Sequence, residues 1–242
     1  MQFVSANPTF VPSVTHLASA VVAIVLMASP VLARDSDQNR EWAGCFVGVH
    51  AGGLWGKSED WIVKTPGGDF FNQSLGGHHL SSAMGGVQAG CDLRRDGWVI
   101  GLGADYSWAN ADGSHPSRRE TGVTYSSRID ATGSIAARAG YQIERVLLYV
   151  RGGFAWQEES YEASTTILGT AYTADETRFG WMVGLGGEYS LTDALSVFAE
   201  YDYRDFGSET IGLMPEIAGL RPASVEIESQ TSSVRLGLNF RF

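Results

Sequence analysis

Ser233-Val234-Arg235-Leu236-Gly237-Leu238-Asn239-Phe240-Arg241-Phe242 alternates polar or small residues with aliphatic and aromatic ones up to the last position. A period of two belongs to a strand, whose successive side chains point to opposite faces. One face is Val234, Leu236, Leu238, Phe240 and Phe242; the other is Ser233, Arg235, Gly237, Asn239 and Arg241. A wholly apolar face opposite two arginines separates an apolar medium from a polar interior.

The same period recurs backwards along the chain, over 43–56, 81–94, 98–110, 127–143, 146–158, 177–191, 194–204 and 229–242. Each segment is long enough for the roughly 9–11 residues that a tilted membrane strand needs. Arg95-Asp96-Gly97, Glu144-Arg145 and Thr192-Asp193 join segments tightly, whereas 57–80, 111–126, 159–176 and 205–228 are long. Short turns on one rim and long loops on the other describe an up-and-down barrel with an even strand number. Trp98, Ile100, Leu102, Tyr106 and Trp108, and likewise Trp181, Val183, Leu185 and Tyr189, share one face. It is aliphatic in the middle and aromatic towards the ends, as a lipid-facing band between interfacial girdles should be. A soluble ligand-binding barrel would put its apolar residues inside instead. The expected fold is an all-β, eight-stranded antiparallel up-and-down transmembrane β-barrel.

Composition agrees. Thirty glycines, 7 tryptophans, 9 tyrosines and 11 phenylalanines favour strands, and beyond residue 33 no apolar run approaches the roughly 18 residues of a membrane helix. A formal net charge of −10 argues against nucleic-acid binding, which needs cations to neutralise phosphates. Residues 1–33 read as a cleaved signal peptide, with an apolar stretch from Leu17 to Met27 and Val31-Leu32-Ala33 before the cut, although no Lys or Arg precedes it. The barrel is then 34–242.

The inward face is expected to carry Asp92, Asp105, Asp130, Glu188, Glu200 and Asp202 against Arg128, Arg138, Arg151, Arg178, Arg204, Arg235 and Arg241. The signs nearly balance, so the charges can pair rather than stand alone at low dielectric. An eight-stranded barrel is just wide enough to be filled by side chains, so Glu200, Asp202, Arg204, Arg235 and Arg241 are expected to form lumen ion pairs, with Arg235 opposite Glu200 or Asp202. The two cysteines are expected to form a disulfide, because the first long loop centres near residue 68 and opposed positions then sum to about 136, which Cys45 and Cys91 satisfy.

Catalytic constellations are thin. His78 and His79 lie beside Ser81 and Ser82, His115 in the second loop and His50 on the polar face; no spacing brings a nucleophile, base and carboxylate together. The loop histidines read as solvated, no metal or cofactor site is expected, and the acidic residues Glu158, Glu159, Glu162, Glu209, Glu216, Glu226 and Glu228 read as a solvated loop charge.

Gly44-Cys45-Phe46-Val47-Gly48, Gly85-Gly86-Val87-Gln88-Ala89-Gly90-Cys91-Asp92, Trp98-Val99-Ile100-Gly101-Leu102-Gly103-Ala104-Asp105-Tyr106 and Glu200-Tyr201-Asp202-Tyr203-Arg204-Asp205-Phe206-Gly207 resemble the small porin-family outer-membrane β-barrel proteins of alphaproteobacteria, which are similar to the membrane domain of OmpA. The C-terminal strand resembles the signal by which barrel-assembly machinery recognises its substrates, with Phe240 and Phe242 as its aromatic residues. The resemblance implies a structural surface protein that supports envelope integrity, in contact with outer-membrane lipid and lipopolysaccharide. It carries over no catalytic residue, and no peptidoglycan-binding domain is expected after Phe242. A small diffusion channel is the first alternative, and a lipid-modifying barrel enzyme the second.

Overall fold

In the computed structural model the strands form one closed barrel. The structure describes residues 42–64, 78–117, 122–165, 169–215 and 223–242; the expected signal segment and Glu216 lie outside them. The strands are β1 (Gly44–Lys64), β2 (His78–Arg95), β3 (Trp98–Pro116), β4 (Val123–Ile143), β5 (Val146–Thr165), β6 (Gly169–Ser190), β7 (Leu195–Pro215) and β8 (Ala223–Arg241). They pair antiparallel in chain order, and β1 closes on β8 into a complete barrel. Closure reaches the last residue, because Phe242 and Cys45 exchange both backbone hydrogen bonds, at 2.9 and 3.2 Å. Full closure leaves no ladder edge at that seam, which hydrocarbon would penalise by several kcal/mol per unpaired group.

The tight turns sit where expected. Asp96 and Gly97 both take positive φ (51° and 83°), the requirement of a type I′ hairpin whose twist matches its strands. Val47, Val49, Ile100, Leu102, Val150, Val183, Leu185, Leu236 and Leu238 are exposed on the outside between two aromatic groups: Trp98, Tyr141, Tyr189, Phe240 and Phe242 near the turns, and Trp55, Trp108, Phe179 and Trp181 at the other end. This is the belt a bilayer covers.

Beyond the second aromatic group the strands do not stop. The segments 57–64, 111–116, 159–165 and 205–215, expected as loops, continue as strand. There the pattern reverses: Tyr125, Tyr161, Ala163, Ile211, Val225 and Ile227 pack inside as one apolar cluster, and Leu54, Leu80, Met84, Ala111 and Ile129 as another. Arg128, Asp130, Glu162 and Asp175 face outwards, exposed. The molecule is therefore two barrels in one ladder, polar inside where lipid surrounds it and apolar inside where water does.

β5 and β8 keep the same parity inwards along their whole length, whereas on β4 and β7 a bulge changes it. On β4, Arg138, Ala136, Ser134 and Thr132 point inwards; a register shift between Ile129 and Ala131 flips the phase, so that Ile129, Ser127 and Tyr125 point inwards instead. On β7 the flip falls between Asp205 and Ser208, where Gly207 sits at φ 62°, a conformation glycine adopts without steric cost. Arg128 and Asp130, expected in the lumen, are outside it for this reason. Inside the membrane segment, glycine makes room for rings: a Cβ at Gly237 would lie 2.5 Å from the Phe198 ring, and one at Gly186 would lie 2.6 Å from that of Tyr149.

Candidate functional site

The lumen of the membrane segment holds two ionic groups, built from the inward positions of seven strands. Nearer the turns, Arg138 donates to Asp92 through Nε at 2.8 Å and again through Nη2, and to Glu188 at 3.3 Å. Arg241 donates to the same Asp92 at 2.8 Å. Ser196 and Asn239 complete Glu188 with donations of 2.5 and 2.9 Å. The guanidinium of Arg138 also lies over the Phe46 ring, 4.5 Å from its centroid.

In the middle, three carboxylates meet three guanidiniums. Arg151 donates to Glu200 at 2.5 Å and to Asp105 at 2.6 Å. Arg235 reaches Asp105 at 3.1 Å, Asp202 at 2.8 Å and Glu200. Arg204 donates to Asp202 at 3.3 Å and to Ser233 at 2.9 Å. Tyr149 donates to Glu200 at 2.8 Å and Ser134 to Asp105 at 2.6 Å. Arg204 and Arg235 are 0% exposed, so these are enclosed charges whose hydration is replaced by one another. The cavity beside them, lined by residues that include Asp105, Arg138, Arg151 and Glu200, has a volume of ≈ 20 Å³, room for about one water.

Of the residues singled out in sequence, Glu200, Asp202, Arg204 and Arg235 come together in the central group, and Arg241 sits in the other with Asp92 and Glu188. Arg178 lies above both. It is 0% exposed and donates through Nη2 to the carbonyls of Gly207 and Ile227 at 2.6 and 3.0 Å. That side chain spans the stretch between Thr173 and Trp181 where β6 leaves its pairing with β7. Beside it Glu159 is buried rather than solvated, accepting from Ser229 at 2.9 Å and from Gln157. Burial pushes its carboxyl above the usual carboxylate range, and Arg178 at 3.9 Å offsets only part of this.

Cys45 and Cys91 stand directly opposite each other in the β1–β2 ladder and are joined as a disulfide on the outer face. The histidines depart from expectation. His50 is buried in the lumen, its Nε2 2.8 Å from Ser107 Oγ, while its Nδ1 has no hydrogen-bond partner among the described residues. His78 and His115, expected as solvated loop residues, point into the upper barrel with their Nδ1 atoms 2.9 Å apart, and His78 Nε2 lies 2.8 Å from Ser127 Oγ. Burial first, then the neighbouring His115, pushes His78 down to about 4, so it is neutral at pH 7.

A family model described as an outer membrane protein beta-barrel domain matches residues 19–242. The chain belongs to that family. Among relatives of this outer-membrane barrel, the 31 kDa outer-membrane immunogenic protein of Brucella melitensis is 27% identical over 237 residues, covering 93% of this chain and 94% of the relative. The 25 kDa outer-membrane immunogenic protein of the same organism is 25% identical over 205 residues, 83% of this chain and 79% of the relative. Among solved structures, the outer membrane protease OmpT of Escherichia coli aligns with a TM-score of 0.54 at 12% identity, covering 86% of this chain and 99% of that one, a likeness of fold alone. The apolar belt of this outer-membrane β-barrel thus faces the bilayer of the bacterial outer membrane.

One contributor to the lumen escaped the sequence reading of this outer-membrane barrel. Trp42, just before β1, is 0% exposed and packs with Val99, Leu147 and Tyr149 at the turn end. Arg241 donates to its carbonyl at 3.3 Å and lies over its ring, 5.7 Å from the centroid. A tryptophan preceding the alternating segment was the available signal, but nothing in the period says that it folds inwards.

Proposed function

We propose that this outer-membrane β-barrel is a structural protein of the cell surface, closed to solutes, that contributes to envelope integrity by anchoring a rigid barrel through the bilayer. The observation that carries this reading is the central lumen group, in which Arg151, Arg204 and Arg235 are bonded to Asp105, Glu200 and Asp202 across the full width of the barrel. Enclosed pairs of this kind leave no continuous aqueous path and hold opposite walls together. The extended upper barrel, acidic outside and apolar inside, faces lipopolysaccharide with its outer wall.

A non-enzymatic role is part of the proposal. The Ser107–His50 contact superficially matches a nucleophile and base, but both are buried in the lumen and, among the described residues, no carboxylate orients His50 Nδ1. Deleting the gene tests the function: sensitivity to detergents and to bulky antibiotics should rise and be restored by the intact chain. Unchanged sensitivity together with slowed uptake of small solutes would overturn the structural reading in favour of a diffusion channel.

A further inference from the structure

We propose that His78 and His115 form a two-imidazole site for a divalent transition metal of the copper(II) class, at the extracellular end of the barrel. His78 opens β2 and His115 lies one residue before the end of β3, both turned inwards and 8% exposed. His78 stands opposite Ser58 of β1, three ladder positions beyond the pair formed by the girdle residue Trp55 and Ser81, so the site is above the lipid.

The two Nδ1 atoms share a hydrogen bond at 2.9 Å, and a metal bound by both would take the place of the shared proton. At metal–nitrogen distances of about 2.0–2.1 Å, such a separation subtends about 90° at the metal, the angle between neighbouring positions of a square or tetragonal site, whereas a tetrahedral ion would need the nitrogens about 3.4 Å apart. Imidazole nitrogens suit copper and nickel; calcium and magnesium demand oxygen.

The surroundings hold the rings in place. Ser127 Oγ fixes His78 through Nε2 at 2.8 Å, and the Tyr125 ring stacks on His115 with centroids 5.8 Å apart. The second nitrogen of a ligating imidazole is ordinarily fixed by an outer partner, as Ser127 fixes that of His78. Among the described residues no third His, Cys, Asp or Glu side chain joins the pair. The burial of both rings revises the expectation that these histidines are solvated. Residues 37 positions apart supply the pair, so their juxtaposition depends on the fold.

Protein extracted from outer membranes in detergent and titrated with copper(II) chloride should bind one equivalent, with an axial paramagnetic resonance spectrum split by two nitrogens. His78→Gln and His115→Gln should each weaken binding at least tenfold and remove that splitting. His79→Gln on the outer face and His50→Gln in the lumen should leave both unchanged. Nickel should bind more weakly than copper. Heat-modifiable migration on gels identifies folded variants, and the wild-type spectrum stands without any substitution. A spectrum with fewer than two nitrogens, or copper binding equal in wild type and both variants, would overturn the site.

Discussion

Arg235 stands directly opposite Glu200 in the β7–β8 ladder, and from that one position its guanidinium serves Glu200, Asp105 and Asp202 together. Three carboxylates therefore depend on a side chain with 0% exposure. Arg235→Ala should destabilise the barrel by about 3–5 kcal/mol, because it strands negative charge in an enclosed space. Adding Glu200→Gln should recover part of the loss. Urea unfolding in lipid vesicles measures the cycle; additive losses would show that the two side chains are not coupled.

Phe242 and Cys45 complete the last rungs between β8 and β1. Removing Phe240 to Phe242 deletes those rungs and the aromatic end of the proposed assembly signal. The truncated chain should be degraded or retained in the periplasm. Fractionation with protease challenge checks this, and normal protease-resistant levels in the outer membrane would contradict it.

The Cys45–Cys91 bridge closes the first hairpin with a sequence separation of 46. Its removal by a double serine substitution should lower stability by about 2–4 kcal/mol without changing the fold. Mass measurement after alkylation of unreduced, denatured protein should find no free thiol. Two modified cysteines would refute the bond in the native protein.

Glu159 gives a pH dependence whose sign can be stated. Burial raises its carboxyl above the usual range, so folding favours the protonated form. The stability this group contributes is complete below its unfolded value of about 4.3 and is lost as pH rises through the folded value. Glu159→Gln keeps an acceptor for Ser229 and should be more stable than wild type at pH 8, with the advantage vanishing near pH 4. A less stable glutamine variant at pH 8 would mean that the Arg178 pair outweighs burial.

Within the membrane segment the sequence was informative because a bilayer outside and charge inside make the period of two unambiguous. Register follows from it in part: the loop centre pairs Cys45 with Cys91, and parity narrows the partner of Arg235 to Glu200 or Asp202, of which the ladder takes Glu200. Above the bilayer the medium changes, the apolar face turns inwards, and acidic outer residues such as Glu162 and Glu228 resemble loop composition. The bulge beside Asp130 adds one residue without any compositional mark, so an unbroken period of two carries Arg128 and Asp130 into the lumen while the structure holds them outside it. His78 with His115 and the inward fold of Trp42 are tertiary events with no local signature.

The central claim is that the lumen is filled, and a single-channel recording of the wild-type protein in a planar bilayer tests it most directly. The ion-paired core predicts conductance far below that of a 16-stranded porin, whose lumen is water-filled, with no long-lived open level. Large, steady channels would contradict it.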